Sequence, residues 1–340
     1  MLTVLALAAA LMLSPATKPA GPELASALSA QCRFTGEPRQ WTAQALDAWA
    51  RLDRERLRID NPITPTIALF DQACVYRLTP DRRGDFNAGG RRFRTSAESH
   101  TGQVAIPDGS TVPAQRLAFA APTSEGMFFI MALPALWRAD GAERRDPRLL
   151  AIVVFMHEFT HTQQADGLGA RVDRLLSLGL PEDANDDIVQ DRFAGRPGYQ
   201  AMWEAERDTL YRAVSAPDAG SARSHLNDGL QQMRERQARW FTGPDALYAE
   251  ADDVFLTMEG TGNWSAWAWL TDPRGGRMSS ADAIAFVRGG SGHWSQDEGL
   301  AIMLAVDRLL PQWPALAFGP RAATAEEMAN RAVQPSRSRE

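Results

Sequence analysis

Lysine is all but missing from this chain: Lys18 is the only one in 340 residues, and arginine supplies the remaining basic side chains. That bias reflects codon usage in GC-rich coding sequence and selects no chemistry. Cysteine is equally scarce. Cys32 and Cys74 are the only two, too few and too far apart to make a structural zinc site by themselves. There is no excess of positive charge either. The net charge of -6 gives no electrostatic reason to expect a nucleic-acid partner. After the N-terminus, no apolar run reaches the roughly 18 residues that a spanning helix needs. No internal repeat stands out, and no low-complexity tract beyond the N-terminal segment.

What is present is ordinary for a globular protein, with 44% hydrophobic and 23% charged residues. The first 13 residues, MLTVLALAAALML, are apolar and are followed by Ser14 and Ala16. Residues 1–20 therefore read as a secretory signal with cleavage after Ala16 or Ala20, although a basic n-region is missing. The competing reading is an uncleaved N-terminal anchor. Cys32 follows Leu28-Ser29-Ala30-Gln31, which is no lipobox, so a lipoprotein is not expected. The expectation is a periplasmic or secreted protein, with no stable membrane insertion once the signal is removed. In that setting Cys32 and Cys74 should form one disulfide, worth about 2–4 kcal/mol. Two free buried thiols are the alternative.

The elements divide the chain into a mixed lobe over 30–140, a helical lobe over 146–320 and a polar, frayed tail over 321–340. The expected class is α+β, predominantly helical. Trp41, Leu46, Trp49, Leu52 and Leu57 recur at helical spacing over 40–57. A strand should begin at Thr66 and continue towards Tyr76, and Gly126–Leu133 is the strongest strand. Asp146 is a good N-cap, with Pro147 in the first turn, for a helix running to about Gln164. Further helices are predicted over 199–215, 222–241, 244–270 and 295–310, the last with Ser295 and Glu298 in capping-box spacing. The tryptophans at 264, 267 and 269 read as helix core before they read as a cleft lining.

His157-Glu158-Phe159-Thr160-His161 carries the chemistry. Two histidines four apart on a helix share one face, about one turn apart, and can grip one metal ion. Glu158 then lies beside the metal rather than on it, placed to take a proton from an attacking water. The preceding run from Leu149 to Met156 is apolar all round, so the helix is buried and its histidines need partners. The bland reading is a pair of hydrogen-bonded core histidines.

This HExxH helix resembles that of the zincin metallopeptidases. The resemblance implies zinc held by His157 and His161, with Glu158 as catalytic base. Gln164 and Gly167 break the longer metzincin pattern. Met258-Glu259-Gly260-Thr261-Gly262-Asn263-Trp264 resembles the glutamate-glycine run of gluzincins, with Gly262 in place of the usual alanine, and so implies Glu259 as third ligand. A small residue after that ligand would let the two metal-bearing helices approach closely. Its competitors are Glu204 and Glu206, which otherwise read as a solvated helix face, Glu182 in a turn, and Glu298 in its capping box.

Residues 146–313 also resemble a poorly characterised group of exported bacterial gluzincin-like proteins. The shared pieces are His161-Thr162-Gln163-Gln164, the Glu259-Gly260 pair, and Gly292-His293-Trp294-Ser295-Gln296. The span of roughly 100 residues from His161 to Glu259 departs from the short thermolysin spacing. Tyr248, His293 and Arg288 are the candidate oxyanion donors. His100, His225 and His293 otherwise read as surface residues. The expectation is a zinc-dependent peptidase acting on peptide or protein substrates. A zinc-stabilised, non-catalytic envelope binding protein and a zinc hydrolase of a non-peptide amide are the alternatives.

Overall fold

The computed structural model describes residues 32–137, 146–289 and 292–334; the expected signal segment over 1–20 lies outside them. The fold is mixed α+β, with a sheet in the N-terminal part and helices in the C-terminal part. The described residues divide into two compact units, one drawn from 32–54 and 62–162 and the other from 55–61 and 163–334. Among the described residues, no helix is long and apolar enough to cross a membrane.

The first unit opens with α1 (Gly36–Leu52), which buries Trp41, Leu46, Trp49 and Leu52 and passes into a wider turn over Asp53–Leu57. The strand expected to run from Thr66 towards Tyr76 is a hairpin instead. β1 (Thr66–Phe70) pairs antiparallel with β2 (Cys74–Pro80). Asp71 makes the turn, because its Oδ1 accepts hydrogen bonds from the backbone of Ala73 and Cys74 at 2.9 and 2.8 Å. An aspartate that bonds its own backbone two and three residues on is a turn former, a signal the alternating apolar residues hide.

The chain continues through β3 (Phe86–Ala88), β4 (Arg91–Ser99), β5 (Gln103–Ala105), β6 (Thr111–Pro113), β7 (Ala118–Thr123) and β8 (Gly126–Ala132). The main sheet runs β3-β4-β2-β1-β8-β7, and β5 and β6 form a separate pair. β1 and β8 are parallel. They are buried almost throughout, which is why they read as continuous apolar runs rather than alternating ones. Cys32 and Cys74 are joined in a disulfide that ties the chain ahead of α1 to the start of β2. Such a bond is consistent with an exported protein.

α2 (Pro147–His161) begins as the sequence indicates, with the Asp146 side chain accepting from the Arg148 backbone N–H at 2.9 Å. It belongs to the first unit, whereas its apolar sequence had suggested the start of the helical lobe. The reason is its aromatic face. Phe155 and Phe159 stack on each other at 5.0 Å, and Phe129 of β8 packs edge-on to both, at 5.5 and 5.3 Å. Trp41 and Trp49 of α1 close the other side, at 5.9 and 5.2 Å.

The second unit comprises α3 (Ala170–Ser177), α4 (Ile188–Phe193), α5 (Tyr199–Ser215), α6 (Ala219–Trp240), α7 (Tyr248–Thr271), α8 (Ser280–Arg288), α9 (Trp294–Leu309), α10 (Pro314–Ala317) and α11 (Ala325–Val333). The tail is not frayed as far as Val333. Thr324 and Glu327 form a capping box for α11, and Met328, Ala329 and Ala332 are buried. Trp264 is wholly buried, edge-on to Trp313 at 4.8 Å, in keeping with its core reading.

One buried cation joins four of these helices. Arg236 of α6 forks onto both oxygens of Glu206 on α5, at 2.7 and 3.0 Å. It also reaches Asp252 of α7 at 3.0 Å and Glu298 of α9 at 3.5 Å, and donates to the Tyr199 hydroxyl at 2.7 Å. The sequence had placed Glu206 on a solvated face and Glu298 in a capping box; both are buried against this guanidinium. α9 starts one residue earlier than expected, with His293 at its N-cap position and no side-chain cap. A guanidinium offers five donors in a planar fork, so it can satisfy several carboxylates at once. Three carboxylates still outnumber one cation. Burial and the neighbouring Glu206 hold Glu298 well above the usual carboxylate range, and burial raises Asp252 against the pull of Arg236.

Arg236→Met would leave three carboxylates buried without their cation, and should cost about 3–5 kcal/mol in urea unfolding. A loss below about 1 kcal/mol would show that the network is dispensable. The raised pKa of Glu298 also fixes a sign. The folded state holds a proton that the unfolded chain releases, so its contribution is complete below about pH 4.5 and declines as pH rises. Glu298→Gln should therefore flatten the fall in stability as pH rises above about 4.5. Equal slopes for the two proteins would contradict the assignment.

Candidate metal centre

α2 presents two faces. With Phe155 and Phe159 packed on the sheet side, His157 and His161 fall on a different face of the same helix, again one turn apart. Both imidazoles are buried, at 7% and 4% exposure, and Glu158 is buried at 3%. Their Nε2 atoms stand 3.2 Å apart, with the rings edge to face. Two nitrogens bound to one tetrahedral zinc at 2.0–2.1 Å would be about 3.3–3.4 Å apart, so the spacing fits a shared ion.

Glu259, on α7, is 1% exposed. Glu259 belongs to the second unit, whereas His157 and His161 belong to the first. The two buried imidazoles could hold a metal ion between them. Two imidazoles and one carboxylate suit zinc and other borderline divalent ions better than calcium or magnesium.

The competitors are placed elsewhere. Glu182 is exposed in the turn before α4. Glu204 accepts from Gln200 one turn away at the surface. Glu206 and Glu298 are taken by Arg236.

Gly260 is a point of close approach between two helices of the second unit. A Cβ on it would lie 2.4 Å from the carbonyl oxygen of Gly299, and a Cβ on Gly299 would lie 2.4 Å from that of Leu256. The two glycines are the touching points of α7 and α9. Each follows a buried glutamate, Glu259 or Glu298, so the crossing sets the level of both along their helices.

The expected oxyanion donors also separate. Arg288 is engaged by both oxygens of Asp297, at 2.7 and 3.2 Å, and lies over the Tyr211 ring. Tyr248 packs among Phe193 and Phe241. His293 is only half-buried, and its Nδ1 meets both oxygens of Asp187 at 2.9 and 2.7 Å. That hydrogen bond raises the pKa of His293 against burial, and the charges of Asp187, Asp186 and Glu259 add to it. His293 is thus in the electrostatic neighbourhood of Glu259, and it is not the plain surface residue the sequence suggested. His100 is half-buried as well, its Nε2 at 3.0 Å from the Asp71 carbonyl.

Sequence reasoning passed over Asp186 and Asp187 altogether. Asp186 is 6% exposed, and burial pushes its carboxyl up to about 8, with Glu259 and Asp187 raising it further. Only the acidic, loop-like run Asp183–Asp187 could have drawn attention to them. No protein-family model matches the chain, and no curated protein or solved structure matches it either.

Gly260→Ala should lower the stability of the folded protein by about 1–3 kcal/mol, because α7 and α9 must move apart to admit the methyl. The usual gain of about 1 kcal/mol for replacing a helical glycine would appear instead if the crossing were loose. Chemical denaturation reads the sign directly.

Proposed function

We propose that this chain is a zinc-dependent peptidase of the zincin type, with a gluzincin-like ligand set of His157, His161 and Glu259. The observation that carries the reading is the 3.2 Å spacing of two buried imidazole nitrogens, and the Glu259-Gly260 run supports Glu259 as the third ligand. Zinc, when bound, polarises a carbonyl and brings the pKa of water from about 15.7 towards 7.

The chain's own residues supply the rest. Glu158, adjacent to His157 and buried, accepts the proton of the attacking water and returns it to the leaving amine. His293 is the donor of choice for the developing oxyanion. Asp187 holds its Nδ1, which orients the ring and favours the protonated form whose Nε2–H can donate. Hydrolysis of an amide bond in a peptide outside the cytoplasm agrees with the disulfide between Cys32 and Cys74.

Glu158→Gln should keep the wild-type zinc content and lose turnover of a mixed peptide library by at least about 100-fold. His157→Ala should lose both the zinc held with His161 and the turnover. Wild-type turnover by Glu158→Gln would refute the base assignment. An unaltered zinc content in His157→Ala would refute the ligand assignment.

A further inference from the structure

We propose that Asp186, Asp187 and His293 form a second divalent-metal site, distinct from the His157, His161 and Glu259 set and sharing no ligand with it. Each of the three residues offers one ligand atom, and these atoms lie within 4.8 Å of one another. The trio comes from two sequence-distant places, the loop entering α4 and the N-terminus of α9. Asp187 and His293 occupy the N-cap positions of those helices.

An ion pair between Asp187 and His293 accounts for two of the three residues. It does not account for Asp186. This carboxylate is more than nine-tenths buried, and its Oδ2 receives one long hydrogen bond, 3.3 Å, from Gln296. Among the described hydrogen bonds its Oδ1 receives none. It lines a small cavity with Gln190, Trp294 and Ser295, while Asp187 and His293 remain about one-quarter exposed. A buried carboxylate with few donors costs folding free energy unless it keeps a proton or a cation joins it, and a metal ion bound by its two neighbours would displace that proton.

The donor set selects the ion. Two carboxylates and an imidazole suit zinc or manganese, and the imidazole disfavours calcium and magnesium. The half-exposed side leaves coordination positions for water. An ion on Nδ1 of His293 replaces the proton shared with Asp187 and leaves Nε2–H as the remaining donor on the ring, so it is compatible with the role given to that ring above.

The test is equilibrium dialysis of chelator-stripped protein against zinc chloride, read by elemental analysis, with far-ultraviolet circular dichroism confirming the fold of each variant. Wild type should bind two equivalents, and His157→Ala should retain one. Adding Asp187→Asn to His157→Ala should remove that remaining equivalent, as should adding His293→Gln if Asp187→Asn unfolds the chain. One equivalent in wild type and none in His157→Ala would overturn the second site. So would metal that persists in both double variants. If wild type binds one equivalent that His157→Ala keeps and Asp187→Asn removes, the second site stands and the peptidase ligand set falls.

Discussion

Two imidazole nitrogens held 3.2 Å apart inside a buried helix are the constraint on which this protein turns. Without an ion, one ring can donate to the other, a hydrogen bond of modest net worth. With an ion, the same spacing becomes a chelate. The surrounding structure holds the spacing fixed. Phe155 and Phe159 lock α2 against β8 and α1 through close ring contacts, so the helix cannot rotate its histidines away. That rigidity keeps the chelating face in place, and it originates in the spacing of residues 155, 157, 159 and 161, two interleaved one-turn pairs.

In the helical unit, Arg236 does the corresponding work. It ties α5, α6, α7 and α9 through Glu206, Asp252 and Glu298, none of which belongs to the proposed chemistry. The network and the Gly260–Gly299 contact together fix α7 against α9, and with them the height of Glu259 and the start of the helix that carries His293. A buried ionic cluster of this kind adds little net stability compared with apolar packing. Its effect is to fix one arrangement of four helices rather than several.

Much of the site was legible in the residues because its signals are local. The two histidines, their glutamate neighbour and the Asp146 cap all lie within one helix, whose period can be read directly. Glu259 stands out in the sequence because its glycine follows it. The glycine's partner, Gly299, was not, since a helix crossing brings together residues 39 positions apart. The same limit hid the burial of Glu206 and Glu298: a carboxylate reads as solvent-facing until the arginine that meets it is known. Asp186, Asp187 and His293 come together across 106 residues and carry no periodicity of their own. The hairpin at Asp71 was lost for the opposite reason, as a local turn former sat between two apolar runs that looked like one strand.

The most direct test is a zinc-edge anomalous difference map from crystals of the zinc-loaded protein. The account predicts a peak about 2.0–2.2 Å from Nε2 of His157, Nε2 of His161 and a carboxylate oxygen of Glu259. A map with no peak there, and with the two imidazoles hydrogen-bonded directly to each other, would contradict it.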